Sequence, residues 1–577
     1  MSTRSPGDDA SAGLADAASV PLPASGFQQR IWLAERLDPA AGRYNVPLAW
    51  RVRGRLEPNR LSAALAALTH RHEMLRTRFV DHDGGVRPAL VAPWRPPVRR
   101  VDLSRGEGDP AAWLRAAADE PFDLAAGPPL RVALLELPAG RQLLFVAVHH
   151  LIWDAASTPV FLRELAACYA DPAATTGAAR QFRHVVADRD GDGGPEQAGR
   201  LAYWAEQLAG APPYLDLRPG GGTPTGPHGT TPIPVPAGTL ARLAAVRRQV
   251  GGTWFTLVAG ACLAVLHDWT GRDDVTVGCP ITGRGPADAD VIGPCLDTVV
   301  LRSRCRAGER LADLLGDVRD TVLSALEHGA PFADVVDLLG PARRPGWTPY
   351  ADVMIATDAA AAEPARVGGA VLTPYQLHEL GAGYQAKVGV TIAFAVTGGQ
   401  LTARLTYRGD RLDAASAARL AGRIGDLLGS LGDRRESLVL AGPATRRPNE
   451  VRRGPDPTSR VPPPGRELAD RITAVWADVL GRADVGVRDN FFDLGGNSLL
   501  LAKLHARLEA ELDVTLAIQD LFEHPTVAAL TQALTPASTS PATPLDGRAR
   551  AAAARGSRAR AGAARARAAR RRPGDDA

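Results

Sequence analysis

From Ala441 to Gly465 the chain runs through Arg-Arg-Pro, Gly-Pro-Asp-Pro and Pro462-Pro463-Pro464. Such a stretch lacks the amide donors and the apolar period that a helix or strand needs. Whatever folds on either side must find its own core. In polyproline II form, at about 3.1 Å per residue, the roughly 25 residues of this linker would span on the order of 75 Å. Upstream, about 420 residues exceed one usual core, which predicts two lobes, 21–210 and 211–440. Downstream, 466–534 is long enough for a small bundle and little else. The ends, 1–20 and 535–577, are rich in small and polar residues without apolar periodicity and predict disorder.

Composition narrows the class of function. A hydrophobic share of 45% and a charged share of 23% are ordinary for a water-soluble globular chain. The net charge of +4 is set by the tail, whose 10 Arg stand against 3 Asp, so the rest is mildly acidic. A nucleic-acid reading would rest on that tail alone, which has no aromatic residue for stacking, and no nucleic-acid partner is expected. Nearly every basic residue is arginine, Lys387 and Lys503 being the only lysines; we read this as the codon bias of a GC-rich genome. The five cysteines have no CxxC spacing and suit a reducing cytosol. With no signal-like h-region and no membrane-length apolar run, the expected location is cytoplasmic.

In the large body, Val132 to Leu137 and Leu143 to Val148 read as a hairpin joined by Pro138-Ala139-Gly140. A helix is predicted from Thr158, with that threonine as N-cap and Pro159 at its first position. Further on, Phe255 to Leu266 is helix-like and Val275 to Gly278 is a strand leading into Thr282-Gly283-Arg284-Gly285. The hairpin's second strand ends in Val148-His149-His150-Leu151-Ile152-Trp153-Asp154-Ala155. An apolar strand thus delivers two imidazoles beside an acid and a helix start, where a base near neutral pKa is useful. A metal site is the weaker reading, because neighbouring strand residues point to opposite faces and no third ligand is evident.

His149 to Ala155 resembles the His-His-x-x-x-Asp-Gly signature of nonribosomal peptide synthetase condensation domains. Other motifs of that family follow its order: Ser25 to Leu33 resembles the opening motif, and Arg71 to Phe79 is a near-complete match to the second. Ile292 to Thr298 and His328 to Phe332 match later ones more loosely. The resemblance, over residues 21–440, implies an α/β two-lobed fold like chloramphenicol acetyltransferase. It implies His150 as general base or positioner of the attacking amine, His149 as its supporting neighbour, and Asp154 as a structural carboxylate paired with Arg284. For Arg284 a solvated surface position is the plainer alternative. Arg71, His72, Arg76 and Thr77 read as scaffold.

The second body carries Asp489-Asn490-Phe491-Phe492-Asp493-Leu494-Gly495-Gly496-Asn497-Ser498-Leu499-Leu500. Leu501, Leu504, Leu508 and Leu512 recur at helical spacing after Ser498, so the serine opens an amphipathic helix. Read locally, Ser498 is an N-cap after a Gly-Gly turn. Over its full length the segment resembles the 4′-phosphopantetheine attachment motif of peptidyl carrier proteins, which implies that cofactor on Ser498 and an all-α four-helix carrier over 466–534. Leu468, Ile472, Val475, Trp476, Val479 and Leu480 would form its first helix, Leu521 and Phe522 a short third, and Thr526 would cap a fourth.

The departures matter too. Ala155 replaces the family's glycine, Trp153 is bulkier than usual, Asp297 stands where asparagine is common, and Gln181 to His184 retains little of another motif. No adenylation domain separates the body from the carrier, so the resemblance implies loading of Ser498 by a separate adenylation enzyme after a phosphopantetheinyl transferase installs the arm. The expected activity is amide formation with an acyl or peptidyl group from an upstream donor carrier. The alternatives are a non-catalytic platform that recruits tailoring enzymes and acyl transfer to a soluble amine or alcohol.

Overall fold

The computed structural model describes residues 20–434 and 466–534 apart from short internal stretches, among them 174–178, 219–225, 359–363, 378–385 and 495–497. Of the ends expected to be disordered, 1–19 and 535–577 lie outside the described residues, as does the linker 441–465, whereas Val20 pairs with Leu90 in a short strand. Leu130–Glu136 and Gln142–His149 pair antiparallel, as the alternation of apolar runs and turn residues predicts. They form the middle of a six-stranded sheet whose order is 365–367, 370–374, 45–53, 142–149, 130–136, 98–102. Helices Pro58–Arg71 and Ser157–Ala170 cover one face and bury Leu61, Leu65, Val160 and Phe161. A buried ionic contact ties the two helices together. Glu164 accepts from Arg71 Nε at 3.0 Å and lies 2.6 Å from His72 Nε2.

A second six-stranded sheet has the order 296–304, 274–282, 353–357, 390–397, 400–407, 229–233. Helices Trp254–Thr270, Leu311–Glu327 and Ala414–Arg434 pack on it, and the first is buried along most of its length. Gly260 permits that packing, because a Cβ there would lie 2.4 Å from Leu315 Cδ2. Among the described residues no single helix is long and apolar enough to cross a membrane.

The division expected at residue 210 needs correcting twice. Helix Pro195–Gln207 contributes Trp204 to the second lobe's core, so that lobe begins earlier. Conversely, Ala365–Val367 and Ala370–Pro374 leave the second lobe and extend the first lobe's sheet, Val371 to Pro374 pairing antiparallel with Arg53 to Trp50. Backbone pairing between residues so far apart in sequence leaves no local trace. The threonine cap is also corrected. The helix starts at Ser157, whose N–H donates to Asp154 Oδ1 at 2.9 Å, so Asp154 does the capping and Thr158 Oγ1 instead accepts from Trp153 Nε1.

The small bundle comprises Arg466–Leu480, Ser498–Leu512 and Val527–Leu534. Thr526 Oγ1 accepts from Ala529 N–H at 3.1 Å, an N-cap as read from the sequence. Of the short third helix, Asp520 and Leu521 are helical and Phe522 lies outside the described residues. The core gathers Ile472, Val475, Trp476, Phe491, Leu504 and Leu508, with the Trp476 and Phe491 rings edge-to-face at 5.1 Å. Deleting a buried indole costs about 3–5 kcal/mol, comparable to all that so small a core supplies. Trp476→Ala should therefore abolish amide protection over 466–534 in hydrogen exchange of the full chain while leaving the two large sheets protected.

Candidate functional site

Every residue of Gln142–His149 is buried, so the strand is a rigid mount for the turn at its end. Two contacts set that turn. His150 N–H donates to the Tyr44 carbonyl at 2.9 Å, and the fully buried Gln28 donates from Nε2 to the Leu151 carbonyl at 2.8 Å. Gln28 is itself held in a reciprocal cap with Ser25: Ser25 Oγ accepts from Gln28 N–H and Gln28 Oε1 accepts from Ser25 N–H. The opening sequence motif thus braces the histidine turn across 123 residues of chain.

The two imidazoles do different things. His149 Nδ1 accepts from Leu151 N–H at 3.1 Å, so its proton sits on Nε2 and is donated to Glu35 Oε1 at 3.0 Å. His149 is a buried strut. His150 has the opposite tautomer: a carbonyl can only accept, so Nδ1 donates to the Trp153 carbonyl at 2.7 Å and Nε2 keeps a lone pair. Among the described residues nothing bonds that nitrogen. The ring rests edge-on against Phe27, centroids 5.3 Å apart, and is half-buried. Burial, and then the nearby charge of Lys387, hold its pKa well below the usual 6.5, against the opposing pull of the Trp153 carbonyl. His150 is therefore a neutral acceptor at neutral pH.

Asp154 turns away from this space. Its Oδ1 accepts from Arg284 Nη2 at 2.7 Å and from Ser157 N–H and Oγ, while Oδ2 accepts from Cys295 N–H at 3.1 Å. Arg284 also donates to the carbonyls of Asp288, Val291 and Gly293. Both side chains are nearly excluded from solvent, so Arg284 is not the solvated surface residue of the plainer reading. The pair pins the loop after strand Asp274–Thr282 onto the first lobe, where Val291, Ile292 and Cys295 join its core.

The Phe27 ring against His150 leads on, through Arg30, to side chains of the second lobe. Arg30, from helix Gly26–Leu37, lies over the rings of Phe27 and Phe332, at 5.4 and 4.9 Å from their centroids. Asp297 Oδ1, from strand Leu296–Arg304, accepts from Thr298 N–H at 2.7 Å; burial raises its pKa and the charge of Arg30 opposes that rise. Burial pushes the Lys387 ammonium down to about 8. Arg30, Asp297 and Lys387 are each half-buried. Sequence reading gave no role to Arg30 or Lys387. The available signal for Lys387 was its rarity in a chain that otherwise uses arginine.

Both substitutions in the histidine motif have a plain structural setting. Ala155 is exposed and is not among the described non-glycine residues with positive φ, Ala139 and Tyr350, so its backbone needs no glycine. Trp153 is fully buried in the first lobe's core, edge-on to Phe161 at 5.5 Å. In the small bundle, Ser498 is the first residue of the 15-residue helix Ser498–Leu512. A phosphodiester on a serine there suits the positive end of the helix and its unpaired N–H groups, so the position fits a phosphopantetheine arm.

Comparison with known proteins places these features. A condensation-domain profile matches residues 20–435, and a phosphopantetheine attachment site profile matches 470–534. A linear gramicidin synthase subunit of Brevibacillus parabrevis is 32% identical over 432 residues, 71% of this chain and 6% of that protein. Phosphinothricin tripeptide synthetase PhsB of Streptomyces viridochromogenes is 29% identical over 514 residues, 84% of this chain and 42% of its own. The chain thus spans less than half the length of these relatives. In structure, the first condensation domain of the calcium-dependent antibiotic synthetase superposes with a TM-score of 0.61 at 23% identity, covering 73% of this chain and 99% of that one. The X-domain from teicoplanin biosynthesis superposes at 0.63 and 23% identity, over 74% and 99%. At such identities the structures share the fold.

Removing one partner of a buried ion pair costs about 3–5 kcal/mol because the other charge is stranded. Arg284→Met should lower the urea midpoint of the large body accordingly, and Asp154→Asn added to it should restore part of the loss. Additive losses in the two single variants and the double would contradict the pairing.

Proposed function

The chain belongs to the condensation-domain family, with a phosphopantetheine attachment domain behind it, and on that premise we propose that it forms an amide between an acyl or peptidyl group on a separate donor carrier and an aminoacyl group on its own Ser498. The observation that carries this reading is the tautomer of His150, whose Nδ1 proton is committed to Trp153 and whose Nε2 keeps its lone pair, with no hydrogen-bond partner among the described residues. When attached to Ser498, 4′-phosphopantetheine supplies a terminal thiol on a long arm that holds the aminoacyl group as a thioester.

The acceptor amine attacks the donor thioester carbonyl; a C–N bond forms and the C–S bond breaks. His150 Nε2 accepts the proton the amine nitrogen must lose, and the departing thiolate takes it up, which leaves the imidazole neutral for the next turn. His149, Asp154 and Arg284 are positioning residues: His149 braces the turn through Glu35, and the ion pair joins the lobes behind it. Tethering both substrates raises their effective concentration, which supplies much of the rate. A non-catalytic platform would be motivated by Ala155 and Trp153, yet one is exposed and the other lies in core. Since no adenylation domain lies between body and carrier, the partners are an upstream donor carrier, a separate adenylation enzyme and a phosphopantetheinyl transferase.

The test is reconstitution of the phosphopantetheinylated chain with loaded donor and acceptor groups, followed by intact mass. His150→Ala should lower transfer at least about a hundredfold, the usual contribution of a positioned base; unchanged transfer would remove its role, and product released free of Ser498 would point to a soluble acceptor. Ser498→Ala should abolish the mass gained on treatment with the transferase. Because burial and Lys387 depress the His150 pKa, the base form is lost only as pH falls through that lowered value. The rate should therefore show no decline as pH falls through 6.5, the ordinary imidazole value, and should fall only in more acidic solution.

A further inference from the structure

The bond from Nδ1 to the Trp153 carbonyl anchors the His150 ring at one end. A single hydrogen bond leaves the tilt of the ring, and so the direction of the Nε2 lone pair, to packing. That packing comes from Phe27, whose buried ring meets the imidazole at a centroid distance of 5.3 Å and an interplanar angle of 68°. What holds Phe27 is therefore part of what aims the base.

Arg30 stands three residues on in the same helix, Gly26–Leu37, and so on the same face. Its guanidinium covers the Phe27 ring at 5.4 Å and, at 4.9 Å, the ring of Phe332, which belongs to the core of the other lobe. A long arginine side chain ordinarily carries its head out to water; a second aromatic face supplied from across the lobe boundary favours the inward course. The far end is firm. Phe332 is buried in the first turn of helix Phe332–Leu339, its N–H donates to Asp297 Oδ1 at 3.3 Å, and the same oxygen accepts the Thr298 N–H at 2.7 Å. The two helices touch directly, since a Cβ on Gly26 would stand 4.0 Å from Ala333 Cβ. The charge of Asp297 also acts on the Arg30 guanidinium, a use that asparagine at this place would not serve.

We propose that Arg30 is a positioning residue for His150: held by one ring from each lobe, it fixes Phe27 against the imidazole, so that the first lobe's base is aimed only while the second lobe is seated on it. This rests on the reading that the Nε2 lone pair of His150 takes a proton, and it adds the second lobe to what that step requires. Arg30 acts through Phe27 and not on the reacting atoms.

The experiment uses the full chain. Histidine labelled with 13C at Cε1 reports the imidazole without any substrate, the His150 signal being assigned with His150→Gln. Arg30→Met keeps the stem and removes the cation, and Phe332→Leu removes the ring on the far side. Each should move the His150 signal and raise its titration toward 6.5 as water reaches the loosened ring, while Lys387 and His149, whose charges also act on it, stay in place. Both changes break one contact, so the double variant should shift the signal no further than the larger single variant. In the reconstituted transfer each should lower kcat about tenfold with the KM for the loaded donor carrier unchanged, as a misaimed base predicts. Arg30→Lys and Phe332→Tyr, which keep the cation and the ring, should regain most of that loss. Hydrogen-exchange protection of the two large sheets identifies folded variants, and either single variant is enough to decide. A His150 signal and titration identical to wild type in a folded Arg30→Met or Phe332→Leu overturns the proposal whatever the rate, and so do additive shifts in the double variant. Shifted titrations with no transfer even in wild type support the positioning role and instead sink the amide-forming reading, so the two failures are separable.

Discussion

The buried pair between Asp154 and Arg284 organises the region on which everything else rests. Each partner alone would be a stranded charge, so the contact is weak as a source of net stability and strong as a constraint. It closes the turn that carries His150, caps the helix beginning at Ser157, and draws the loop ending in Cys295 from one lobe into the core of the other. A single carboxylate with four donors therefore links histidine turn, helix start and lobe junction. This explains why an acid four residues beyond the second histidine belongs to the scaffold.

With the scaffold fixed, the chemistry is decided by where protons can sit. Consecutive histidines reach the same strand end, and the difference between them is set by two bonds: a peptide N–H aimed at one ring and a carbonyl aimed at the other. Exchange those partners and the free Nε2 lone pair would belong to the buried His149. The surrounding charges reinforce the arrangement, since burial and the nearby ammonium both disfavour protonation of His150. A fixed lone pair is what the proposed removal of one proton from an amine requires.

Local chemistry made much of this legible. The hairpin before His149, the helix opening at Ser498 and the Thr526 cap arise from patterns within a few residues, and all three stand in the structure. The Thr158 cap misled because the helix begins one residue earlier, where the Asp154 carboxylate takes the Ser157 N–H. The pairing of Ala370–Pro374 with the strand Asn45–Arg53 left no trace at all, as backbone bonds across such a distance impose no residue type. Arg30 and Lys387 were missed for a related reason: their setting is made by side chains from both lobes, and only the scarcity of lysine marked one of them.

That distant pairing has a consequence for how the chain is born. Until Ala370–Pro374 emerges, Asn45–Arg53 is the outer strand of its sheet, with one row of amides and carbonyls unsatisfied. The ribosome must add about 320 residues in between, which at roughly 5–20 residues per second takes on the order of tens of seconds. For that interval the nascent first lobe exposes an adhesive edge, and the second lobe, whose synthesis completes it, acts as its late-arriving cover.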